Sequence, residues 1–110
     1  MTNPFQELED AFNKSGVGNV QIDQNFSDES VYLLSNLYIE SDKRNQKYAT
    51  TFMKELVKIC DSMKIKMVLE PSDYFGSDLK RLVEFYSRFG FTPYLLNNRV
   101  LHMKRIPNVY

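Results

Sequence analysis

The sequence predicts one α/β (α+β) domain over residues 1–110: a mixed, mostly antiparallel five-stranded sheet, a central parallel strand–helix–strand unit, and helices on both faces. Three observations predict it. Two pairs of β-rich segments, Asn19–Gln24 with Val31–Ile39 and Phe91–Leu96 with Arg99–Arg105, are each joined by turn-forming residues and read as antiparallel hairpins. Between them, residues 31–69 run strand, long helix, strand, a span sufficient for a right-handed parallel crossover. Val31–Ile39 (VYLLSNLYI) is apolar on both faces, which places it inside the sheet with cover on both sides.

Each element has a local cause. Asn3-Pro4-Phe5-Gln6 reads as a helix start, with Asn3 as cap, Pro4 at the first helical position and Gln6 at the capping-box position. Phe5, Leu8, Ala11 and Phe12 form its stripe, and Ser15-Gly16 ends it. Asn19–Gln24 alternates polar and apolar, so Val20 and Ile22 share a face. A long helix is expected from about Gln46 to Met63. Its apolar stripe is Ala49, Phe52, Met53, Leu56, Val57 and Cys60, and Lys54, Glu55, Lys58 and Asp61 form a solvated face. Lys66–Leu69 is a short strand broken by Pro71. Ser77–Phe89 is a second amphipathic helix, stopped by Gly90. Asn97-Asn98 supplies the last turn, and Pro107 takes the chain end out of the sheet.

Composition narrows the function. The formal net charge is +0, and adjacent basic pairs such as Lys43-Arg44 and Lys104-Arg105 do not make a patch, which argues against a nucleic-acid partner. The single cysteine, Cys60, lies on the apolar stripe and reads as a small core residue in a reducing compartment rather than a nucleophile. No apolar run approaches the ~20 residues of a membrane span. The first ten residues are polar and acidic, unlike a signal peptide. The expected location is cytoplasmic.

The chemistry is concentrated where the long strand runs into the long helix. A strand entering a helix leaves first-turn N–H groups without intrahelical partners, and the positive end of the helix dipole favours an anion such as a phosphate. The residues there, Ile39-x-x-x-x-Arg44-x-x-Lys47-x-Ala49, resemble the acyl-CoA pyrophosphate loop of the GNAT superfamily of N-acetyltransferases, written Gln/Arg-x-x-Gly-x-Gly/Ala. Arg44 holds the first position and Ala49 the last; Lys47 replaces the middle glycine. A second segment, Phe85-Tyr86-Ser87-Arg88-Phe89-Gly90-Phe91, resembles that superfamily's Leu-Tyr-x-x-x-Gly-Phe and follows at its usual separation. The resemblance covers about residues 30–105. The N-terminus is short for the superfamily, so part of the acceptor wall is missing or comes from a second protomer, in a homodimer.

The resemblance implies acetyl transfer from acetyl-CoA, the acyl donor, to a primary amine of a small-molecule or protein acceptor. Leu37, Tyr38 and Ile39 would pair with the pantetheine arm, with the Ile39 N–H polarising the thioester carbonyl. Arg44, Asn45, Gln46, Lys47, Tyr48, Ala49 and Thr50 would hold the pyrophosphate. The strands containing Ile39 and ending at Leu69 would splay to admit the arm. Tyr86 would protonate the departing thiolate. For the general base, Glu40, Glu70, Glu29 and His102 are candidates; Glu70 is best placed, because active sites of open sheets sit at carboxyl strand ends. No metal is implied. Two alternatives stand beside this reading: a catalytically inactive member of the same fold that binds acyl-CoA or protein partners, and an unrelated α/β domain.

Overall fold

The computed structural model describes residues 3–25, 27, 28, 30–43, 47–71, 79–97 and 100–107. The fold is α+β, with a mixed sheet. In chain order the elements are α1 (Gln6–Lys14), β1 (Gly18–Gln24), β2 (Val31–Ile39), a 3-10 turn (Ser41–Lys43), α2 (Tyr48–Met63), β3 (Lys66–Leu69), α3 (Leu79–Ser87), β4 (Thr92–Asn97) and β5 (Val100–Arg105). The five strands of the described residues lie in the order β1-β2-β3-β5-β4. Only β2 and β3 run parallel; β1–β2, β3–β5 and β4–β5 are antiparallel.

The start of α1 differs from the sequence expectation. Asn3 Oδ1 accepts the Phe5 N–H at 2.8 Å, and the helix itself begins at Gln6 without a side-chain cap. Gln6 does not close a capping box. Its amide turns forward to Asp10 at 2.9 Å. The reason lies across the sheet edge. Asn13 receives the Val20 N–H at 2.8 Å and donates to the Val20 carbonyl at 3.1 Å. Glu9 receives the Ile22 N–H at 3.0 Å, and Asn3 donates to the Ile22 carbonyl at 3.4 Å. These are the groups of β1 that point away from β2. Side chains of α1 and its lead-in therefore take the place of a neighbouring strand and close an edge that would otherwise invite pairing.

One contiguous core lies beneath the helices. Val20, Ile22, Tyr32, Leu34, Met67, Leu69 and Met103 project from the strands onto Phe5, Phe52, Met53, Leu56, Cys60, Tyr86 and Phe91. Phe12 of α1 stacks on Phe52 of α2 at 4.9 Å between centroids. At the other end Arg105, 5% exposed, grips Asp61 of α2 through two nitrogens at 2.7 and 2.9 Å, and its Nε donates to the Phe89 carbonyl at 2.7 Å just beyond α3. That clamp corrects the reading of Asp61 as part of a solvated face. It also removes Arg105 from any basic surface. Gly90 is needed there twice over. Its φ is +93°, and a Cβ would stand 3.2 Å from Arg105 Nε.

These contacts put all three helices on one side of the sheet, and cover on both faces is not found. The reason is visible in β2. Tyr32 and Leu34 are buried, while Leu33 on the alternate face is 39% exposed and Val31 and Ser35 are only half-buried. With α1 engaged at the β1 edge, no described element covers that second face. Its residues are Gln21 and Asp23 of β1, Val31, Leu33 and Ser35 of β2, Lys66 and Val68 of β3, His102 and Lys104 of β5, and Thr92 and Tyr94 of β4.

Gly18 fits tightly against β2. A Cβ there would overlap the Tyr38 carbonyl, and the register of β1 shifts just beyond, between Asn19 and Gln21. This close approach anchors the end of β2 at Ile39. No helix of the described residues is long and apolar enough to cross a membrane.

Candidate functional site

The parallel ladder is short where β2 is long. Pairing between β2 and β3 runs from Val31↔Lys66 to Leu34↔Leu69, and β3 ends there, with Pro71 two residues on. β2 continues to Ile39, five residues past the last pair. Leu37, Tyr38 and Ile39 lie in this extension and are each half-buried. Their other edge is held by β1, through Asn19↔Tyr38 and Gly18↔Ile39.

The chain then turns through Ser41–Lys43 and enters α2, so the helix begins at the same end of the sheet as the β2 extension. Lys47 precedes it with φ +64°, in the left-handed region, and no side chain caps the helix. The first intrahelical bond described is Thr51 N–H to the Lys47 carbonyl, 3.0 Å, so the N–H groups of Tyr48, Ala49 and Thr50 form the first turn. Tyr48 is exposed; Ala49 and Thr50 are half-buried. Lys47, the residue standing where the resembled loop has glycine, thus adopts a backbone conformation that glycine adopts freely. Arg44, Asn45 and Gln46 lie outside the described residues.

Glu70 follows the last ladder pair and stands on the uncovered face. The β3–β5 register runs Val68↔Lys104 and Leu69↔Met103, so the next cross-strand neighbours are Glu70 and His102. Their side chains meet: Glu70 Oε1 and His102 Nδ1 are 3.3 Å apart, with the imidazole side chain 19% and the carboxylate side chain 52% exposed. The Tyr94 ring lies edge-on to His102 at 6.1 Å, and the Lys104 ammonium sits over that ring at 5.3 Å. Two of the four base candidates are therefore one unit. What sequence reasoning missed is the partner of His102, because the β3–β5 register that opposes it to Glu70 is non-local.

Tyr86 is elsewhere. It is 7% exposed within the core, its ring 5.3 Å from Phe85 and 6.0 Å from Phe91. Burial pushes its phenol up to about 12, which makes it a weaker proton donor than a solvated tyrosine. The sheet separates Tyr86 from the Glu70–His102 pair. A depression of about 330 Å³ lined by Val57, Arg88, Phe89, Gly90, Arg105 and Ile106 lies at the start of β3, away from these groups. Among the described residues no cluster of three or more His, Cys, Asp or Glu side chains could hold a metal ion.

Compared with protein-family models, curated proteins and solved structures, the chain shows no match.

Proposed function

We propose that this chain is an N-acetyltransferase that binds acetyl-CoA at the carboxyl end of β2 and transfers the acetyl group to a primary amine. One observation carries the reading: β2 outruns β3 by five residues at the end where α2 begins. The extension offers a strand edge to the pantetheine arm, and the first turn of α2 offers N–H donors and a positive dipole end to the pyrophosphate. The two GNAT-like segments lie on these elements, the first from β2 into α2 and the second along α3 into the start of β4.

In this reading the thioester lies in the gap between β2 and β3 beyond Leu34 and Leu69. The amine nitrogen attacks the carbonyl carbon while the Ile39 N–H polarises the oxygen. The C–S bond breaks, and Tyr86 is the donor that protonates the thiolate. A phenol near 12 gives its proton to an ordinary thiol of ~8.5 only against a gradient. Its role therefore requires the departing sulfur to stand close to the phenol, so that the proton moves as the C–S bond breaks.

Calorimetry with acetyl-CoA, and with free CoA for comparison, tests the reading. Binding in the micromolar range is expected for both ligands, since the pyrophosphate and pantetheine are common to them. In the same experiment, Tyr86→Phe keeps affinity and lowers turnover. No binding at millimolar ligand rejects the acetyltransferase. Binding without turnover on a broad amine panel indicates an acyl-CoA-binding module instead.

A further inference from the structure

The geometry points to His102 as the proton acceptor of this site, with Glu70 as the residue that positions it; this rests on the acetyltransferase reading above. Three features of the pair support it. Glu70 directly follows the last residue of β3, and His102 lies on β5 next to Met103, the partner of Leu69, so the antiparallel ladder brings the two side chains together. The contact is made through Nδ1. A carboxylate there selects the tautomer that carries its proton on Nδ1 and leaves Nε2 as a lone-pair acceptor. A contact of 3.3 Å is long for a hydrogen bond, but catalytic pairs often tighten only with substrate bound. The pair also lies one residue past the end of the β2–β3 ladder, opposite the point where Ser35 begins the extension. Leu37 is two residues further, about 7 Å along the strand. His102 also stands two strand spacings across from β2, about 10 Å, so the proton of the amine reaches the imidazole beyond the end of β3 by way of one water.

The step balances without any added group. As the amine nitrogen bonds to the thioester carbon, its proton passes to His102 Nε2. Glu70 stabilises the resulting imidazolium. The C–S bond breaks, the thiolate takes a proton from Tyr86, and solvent returns the proton from His102 to the phenolate. The other described ionisable groups beside His102 are Tyr94 on β4 and Lys104 on β5. The Lys104 ammonium sits over the Tyr94 ring, and the Glu70 carboxylate faces the imidazole.

His102 is the only histidine in the chain, so its nitrogen resonances identify themselves. Nitrogen-15 NMR of the free protein at mildly alkaline pH should show the Nδ1–H tautomer. Glu70→Ala should shift it toward Nε2–H, and Glu70→Gln, which keeps an acceptor oxygen, should retain it. A wild-type Nε2–H tautomer, or one unmoved in Glu70→Ala, overturns the pairing whether or not acetyl-CoA binds. Thiol release from acetyl-CoA is then followed with spermidine, lysine and a peptide amino terminus as acceptors. His102→Gln should lose about 100-fold in turnover with acetyl-CoA affinity unchanged, and the acid limb of the wild-type pH profile should disappear. Retained turnover, or a wild type that binds acetyl-CoA and turns over none of these amines, overturns the base role. Failure of calorimetric binding instead rejects the parent reading and leaves the tautomer result standing.

Discussion

Lys47 carries a conflict that a single substitution can resolve. At φ +64° a side chain crowds the backbone, at a cost of about 1 kcal/mol that glycine does not bear. A left-handed lysine at the mouth of α2 is retained at the expense of stability, and backbone strain of this kind is commonly kept for function. Lys47→Gly should therefore raise the urea midpoint by an amount equivalent to about 1 kcal/mol. If the ammonium helps hold a pyrophosphate, the same variant should bind acetyl-CoA several-fold more weakly. A gain in stability with unchanged affinity would leave the lysine without a ligand role. This position was legible in the sequence as a glycine site occupied by lysine, because loop patterns are local. Asp61 was not. Helical spacing shows that it points away from the stripe of its own helix, and nothing local reveals Arg105, 44 residues on, turning back to meet it. His102 and Glu70 have the same history. Each was visible as a titratable group, and only the register joined them.

Among the elements, α1 does more than its length suggests. It has nine residues and no buried position of its own, yet its polar side chains finish the hydrogen bonding of β1. The helix and its stripe were readable from the sequence; its use as a substitute strand was not, because Asn13 and Glu9 lie off the apolar stripe and nothing local shows that they meet β1. The same substitution of roles leaves no described element to cover the second face of the sheet. The apolar alternation of β2 was read correctly as two apolar faces, but a short helix spent on an edge cannot also roof a sheet. Asn13→Ala tests the edge. It strips the Val20 N–H and carbonyl of their partner while leaving the apolar stripe intact. A loss of about 1–2 kcal/mol is expected in urea unfolding, together with faster amide exchange at Val20. It should also increase self-association, since the freed edge can pair with another chain. Unchanged exchange at Val20 would show that the edge is not closed by this residue.

At the scale of the whole molecule, one core serves every element, and burial there raises the pKa of two of its side chains, Cys60 and Tyr86. Cys60 is 0% exposed on α2, and burial pushes its thiol from 9.0 up to about 12, with a smaller opposing pull from the Arg105 charge. Tyr86 is raised by burial from 10.0 to about 12. Folding holds both neutral. In the unfolded chain the thiol ionises near 9 and the phenol near 10, whereas the folded protein keeps both protons until near 12. Between those limits the unfolded state has released protons that the folded state still holds, so unfolding is favoured as pH rises. The contribution of these groups is fully present below about pH 9 and is lost progressively toward pH 12. The urea midpoint should accordingly be insensitive to them up to about pH 9 and then fall. Cys60→Ala lowers stability at neutral pH through the small cavity it leaves, and it should delay the alkaline fall by about one pH unit, because only the tyrosine then drives it. A wild-type midpoint that stays flat to pH 11 would mean that the core admits water to both groups. In that case the Tyr86 phenol is solvated and ionises near its ordinary value of ~10, still protonated at neutral pH.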